Sequence, residues 1–101
     1  MSTTLDEVQD FLKALASDTR QRILFLYVDG RERTVGQVAE DSRIGQSTAS
    51  EHLAVLKKAG LLKAHREGKE VYYYPDRANL LILTRRFADL VTRCCPGKWD
   101  Q

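Results

Sequence analysis

The spacing of apolar residues changes twice along the chain, and those changes mark its elements. Leu5, Val8, Phe11, Leu12 and Leu15 recur at helical intervals, so roughly the first fifteen residues predict an amphipathic helix with its acids toward water. Ser17 or Asp18 stands where a second helix needs its cap. Ile23, Leu24, Leu26, Tyr27 and Val28 predict that this helix is the most buried element, stopped by Asp29-Gly30. Thr34, followed three residues later by Gln37, has the form of a capping box and opens a short helix carrying Val35, Val38 and Ala39. Ile44-Gly45 then makes a tight connection to a helix over about residues 46–59, ended by Gly60. Two short helices so joined match a helix-turn-helix pair.

Beyond Gly60 the period shortens. Residues 62–66 and 70–74 alternate or are rich in aromatic and branched side chains, so they predict a two-stranded hairpin with Glu67-Gly68-Lys69 at its tip. Pro75 closes the second strand, and Asp76 is placed to cap a last helix over about residues 77–93. On that helix Leu80, Leu83, Phe87, Leu90 and Cys94 form a heptad-like seam suited to a partner helix. The sequence shows no internal repeat and no low-complexity segment. The expected fold is mainly α with a small β hairpin, a winged helix-turn-helix of order α-α-α-α-β-β-α. One domain over residues 1–101 is expected.

The fourth helix carries the most chemistry. Its first turns read Gln46-Ser47-Thr48-Ala49-Ser50-Glu51-His52; Ala49, Leu53 and Leu56 share one face, leaving Ser47, Ser50, Glu51 and Ala54 outward. Small polar side chains let a helix sit close to base edges, where Gln, Ser and Thr both donate and accept hydrogen bonds. The net charge of +2 says little by itself, but its distribution does. Residues 1–42 carry five bases against eight acids, whereas residues 43–74 carry six bases against three acids. The basic excess coincides with the polar helix and the hairpin.

At 101 residues, 43% apolar and 30% charged, the chain has room for one modest core. No apolar run is long enough to span a bilayer, and the first residues lack the basic start and apolar core of a signal peptide. The expected location is the cytoplasm, at the nucleoid. No nucleophile–base pair, metal triad or phosphate loop stands out, which argues against an enzyme.

Three segments resemble the ArsR/SmtB family of bacterial repressors: residues 15–24 (Leu15-Ala16-Ser17-Asp18-Thr19-Arg20 and onward), residues 46–62 from Gln46 to Leu62, and the hairpin Arg66-Glu67-Gly68-Lys69-Glu70-Val71-Tyr72-Tyr73-Tyr74. The middle segment is the specific one. The resemblance implies a homodimer, held by its first and last helices, that places two recognition helices in successive major grooves of a near-palindromic, double-stranded operator, represses a promoter and is released by an effector. It implies groove contacts from Gln46, Ser47, Thr48, Ser50 and His52, with Arg66 and Lys69 meeting phosphate or the minor groove.

Each site has a plainer reading. Ser47 or Ser50 could be a cap, but one cap explains one serine and not the run. His52 could pack against the preceding helix, Arg66 and Lys69 could be solvated turn residues, and Asp18 with Arg20 reads as a cap and surface ion pair rather than a catalytic couple.

The effector chemistry departs from the family. Many arsenic- and metal-sensing members carry Cys-x-Cys in the first helix of the helix-turn-helix, where this chain has Val35-Gly36-Gln37-Val38-Ala39-Glu40-Asp41, and the zinc sensors' Asp/His set is missing from the last helix. The chain's two cysteines are vicinal, Cys94-Cys95, poorly placed for a disulfide with each other. They resemble a Cys-Cys pair of arsenic-responsive members, in which a third cysteine falls at the position of Gln101. The resemblance implies As(III) or Sb(III) as effector, with no cofactor required, and soft thiolates suit such ions. Alternatives are a redox- or persulfide-sensing pair, Cys94 as a continuation of the dimer seam with Cys95 incidental, and a winged-helix protein-interaction module without operator binding.

Overall fold

The protein was described from a computed structural model covering residues 4–94; Cys95, Lys98, Trp99 and Gln101 lie outside the described residues. Helix α1 (Thr4–Ala14) buries Val8, Phe11 and Ala14. Helix α2 (Asp18–Leu26) is capped by Ser17, whose Oγ accepts from the Arg20 N–H at 3.2 Å. It runs into a 3₁₀ turn (Tyr27–Asp29) that ends on Gly30 at φ 77°. The expectation that α2 is the most buried element is corrected. Within α2 only Ile23 is buried, joined by Tyr27 four residues on, whereas Phe25 and Val28 are 65% and 80% exposed. Consecutive apolar residues surround a helix, and a helix on the surface of a small domain buries one stripe.

A strand absent from the sequence reading follows: β1 (Arg33–Thr34) pairs antiparallel with the second strand of the hairpin, Arg33 opposite Tyr73 and Thr34 opposite Tyr72. Thr34 then caps α3 (Val35–Ser42) with both halves of the capping box. The Gln37 N–H donates to Thr34 Oγ1 at 3.2 Å, and the Thr34 N–H to Gln37 Oε1 at 2.9 Å. Arg43, left-handed at φ 56°, closes α3, and Gly45 opens α4 (Gln46–Lys58).

The hairpin strands are β2 (Leu62–Glu67) and β3 (Glu70–Pro75), and the sheet order is β1-β3-β2. The tip is tighter than expected. Glu67 pairs with Glu70, leaving Gly68-Lys69 as a two-residue turn with Gly68 at φ 62°. A positive φ at the first central position is what primed hairpin turns require. Asp76 Oδ1 accepts from the Asn79 N–H at 3.2 Å and starts α5 (Arg77–Cys94).

Ile23, Val38, Leu53, Leu56, Leu61 and Leu62 form the fully buried centre, so α2, α3, α4 and β2 share one core. Each such side chain contributes roughly 2 kcal/mol through burial. At its edge Arg33 is the buried charged residue among the described residues. Its guanidinium donates to both Asp29 oxygens (3.1 and 2.7 Å) and to Asp41 Oδ2 at 3.2 Å, and lies 5.5 Å from the Tyr27 ring centroid. One side chain thus clamps the 3₁₀ turn, β1 and α3. The Arg33 hydrogen bond, aided by the Arg31 N–H, holds the Asp29 carboxyl well below the usual carboxylate range.

Candidate nucleic-acid interface

Helix α4 buries Ala49, Leu53 and Leu56 and turns Ser47, Ser50, Glu51 and Ala54 to solvent, as its periodicity predicts, and Gln46 and Thr48 of its first turn are exposed as well. Gln46, Ser47 and Ser50 line an open groove of about 540 Å³ with Val35 of α3. Gly45 is the N-cap of α4 and supplies no side-chain cap to its first turn. The first turn combines exposed donors with backbone N–H groups at a helix N-terminus, a surface matched to base edges and phosphate.

His52 occupies a different setting from the serines. It is half-buried, and its Nδ1 lies 3.3 Å from Arg20 Nη1. A guanidinium only donates, so Nδ1 accepts and the imidazole carries its proton on Nε2, as a donor. Arg20 also donates from Nε to the Ala14 carbonyl at 2.7 Å and from Nη2 to that of Lys13 at 3.3 Å. The expected surface ion pair with Asp18 is therefore corrected. Arg20 ties the end of α1 to α4 because its guanidinium meets two carbonyls at the C-terminus of α1, that of Ala14 and that of Lys13, the latter also accepting from the Ala16 N–H at 3.1 Å. Nothing in the sequence signalled this link, whose ends lie 32 residues apart.

On the wing Arg66 and Lys69 are exposed, Lys69 in the turn and Arg66 opposite Val71. Glu67 and Glu70 flank the same turn, so the tip carries two acids beside its two bases. Cys94, the last residue of α5, is exposed, with its Sγ 3.4 Å from the Val91 carbonyl. Among the described residues no helix is long and apolar enough to cross a membrane.

Helix-turn-helix, two-stranded wing and flanking α1 and α5 define the class of a winged helix-turn-helix domain, and comparison with known proteins agrees. The family model "bacterial regulatory protein, arsR family" matches residues 17–64. The HTH-type transcriptional regulator Rv0081 of Mycobacterium tuberculosis is 40% identical over 81 residues, covering 76% of this chain and 70% of that one. A Streptomyces lividans protein named as a probable mercury resistance operon repressor is 34% identical over 105 residues, covering 95% and 83%. The solution structure of the homodimeric winged helix-turn-helix DNA-binding domain Mb0332 from Mycobacterium bovis superposes with a TM-score of 0.69 at 40% identity, covering 84% of this chain and 81% of that one. The chain belongs to the ArsR family of bacterial transcriptional regulators.

Proposed function

We propose that the chain is a homodimeric repressor that binds a near-palindromic duplex operator through α4 and the wing, and is released by a thiol-reactive effector at Cys94 and Cys95. One observation carries the reading: the polar first turn of α4, with Gln46, Ser47, Thr48 and Ser50 exposed, stands clear of the core on a helix whose opposite face is fully buried. Arg66 and Lys69 serve as phosphate contacts, and His52 donates from Nε2 while Arg20 fixes its ring. Titrating the promoter DNA of its own operon by fluorescence anisotropy checks this. Binding should weaken steeply with salt, and Gln46→Ala with Ser50→Ala should cost at least about tenfold in operator affinity while sparing non-specific DNA. Equal loss on both DNAs, or no loss on either, sinks the base-reading role.

For the effector, exposure of Cys94 at a helix end and the mercury resistance relative support a thiophilic ligand. Two thiolates hold As(III) or Sb(III) with hydroxide or an external thiol as third ligand. Arsenite should release operator DNA from the wild type and not from Cys94→Ser/Cys95→Ser. Release of the double variant by arsenite overturns the assignment; release of the wild type by peroxide alone identifies the redox alternative.

A further inference from the structure

The outer face of the sheet carries a second cluster of donor atoms on residues that neither DNA nor effector binding uses. His65 and Glu67 are two apart on β2 and share a face; Glu32, just before β1, reaches the same place, and one ligand atom from each lies within 4.8 Å of the others. His65 Nε2 donates to Glu32 Oε2 at 2.6 Å. The imidazole is held in place: it stacks on Tyr72 with centroids 5.5 Å apart and planes 17° apart, and meets Tyr74 at 5.8 Å and 57°. Its nitrogen is thereby aimed at carboxylate. Glu67 also stands directly opposite Glu70, a like-charge cross-strand pair that a bound cation relieves. Lys63, two residues before His65 on the same face, opposes that cation only as a point charge on a long stem.

We propose that Glu32, His65 and Glu67 form a site for a divalent transition-metal ion of the zinc class at the root of the wing. One imidazole nitrogen with two carboxylates is a donor set that Zn²⁺ and Co²⁺ accept, with water in the fourth position. Metal–ligand bonds of about 2.1 Å put tetrahedral ligands roughly 3.4 Å apart, so Glu32 and His65 part by less than about 1 Å, and proton exchange with solvent moves the ring proton from Nε2 to Nδ1 so that a neutral imidazole offers its Nε2 lone pair. Occupancy ties β2, which carries Arg66, to the segment that leads through Thr34 into α3, and so fixes the wing against the helix-turn-helix. The site differs from Cys94 in place and from the Cys94–Cys95 pair in chemistry, nitrogen and oxygen against sulfur.

Equilibrium dialysis of Zn²⁺ against the full chain bearing Cys94→Ser/Cys95→Ser isolates it from thiol binding. One ion per chain is expected, held at least tenfold more weakly after His65→Gln or Glu67→Gln. Thermal melts of Glu67→Gln, an exposed residue beside a turn, keep loss of ligand distinct from loss of fold. Absence of Zn²⁺ binding at micromolar concentration, or binding that both variants leave unchanged, overturns the site.

Discussion

Arg33 shows how one buried charge is made tolerable. Its side chain is 10% exposed, while Asp29 and Asp41 are 40% and 46% exposed, so the cation is covered and its anions keep part of their hydration. The two Asp29 oxygens accept from the guanidinium as a fork, which fixes direction as well as charge. Because the folded-state pKa of Asp29 lies below its unfolded value, its ionised form favours folding above the ordinary carboxylate range. That contribution is lost as pH falls from about 4 toward the lower folded value. Thermal midpoints of the wild type and Asp29→Asn should therefore differ by a constant amount above about pH 5 and converge below about pH 4. A gap independent of pH down to strong acid assigns the effect to something other than this carboxylate.

Among the elements, the joint between α4 and β2 turns on a glycine. Gly60 sits at φ 87°, and a Cβ there would lie 2.3 Å from Asn79 Nδ2, the atom that donates to the Gly60 carbonyl at 2.8 Å. Helix α4, the wing and α5 meet at this residue. Gly60→Ala should cost about 2 kcal/mol in chemical denaturation, from left-handed strain plus the displaced Asn79 bond. Asn79→Ala should recover the part due to collision; equal stability of Gly60→Ala and wild type removes the argument. Features of this local kind were legible in the sequence: the Thr34–Gln37 capping box, the Gly60 stop and the inward stripe of α4 each depend on residues within one or two turns. The exposed serine run was legible for the same reason. Strand β1 was not, because two residues carry no period and their pairing with Tyr72 and Tyr73 is set by the fold. The Arg20–His52 and Glu32–His65 contacts leave no local pattern either, joining residues 32 and 33 apart. The burial of α2 follows the spacing of its apolar residues rather than their number, so one stripe through Ile23 and Tyr27 is covered.

At the scale of the molecule, the shape argues for a second copy. The described chain measures 53 × 29 × 23 Å with a radius of gyration of 15.6 Å, against about 13 Å for a compact domain of 100 residues. Eighteen-residue α5, about 27 Å long, contributes to that length and buries only Leu83, while Phe87 and Val91 are 41% and 46% exposed. Beside it on α1, Leu5 and Leu12 are 63% and 44% exposed, seven residues apart and so on one face, and the Glu7–Arg86 ion pair holds the two helices together. The proposed homodimer covers this apolar pair of helices and spaces two α4 helices for half-sites about one helical turn, or a multiple, apart. Leu12→Glu with Phe87→Glu places a charge on each helix without touching the core. In sedimentation the wild type should run as a dimer and the variant as a folded monomer, with its thermal midpoint no longer dependent on concentration. Operator affinity should fall by about a hundredfold or more, since the second half-site then binds as an independent molecule, while affinity for a single half-site stays unchanged. A variant that remains dimeric would place the interface elsewhere, and a monomer that keeps full operator affinity would detach dimerisation from DNA binding.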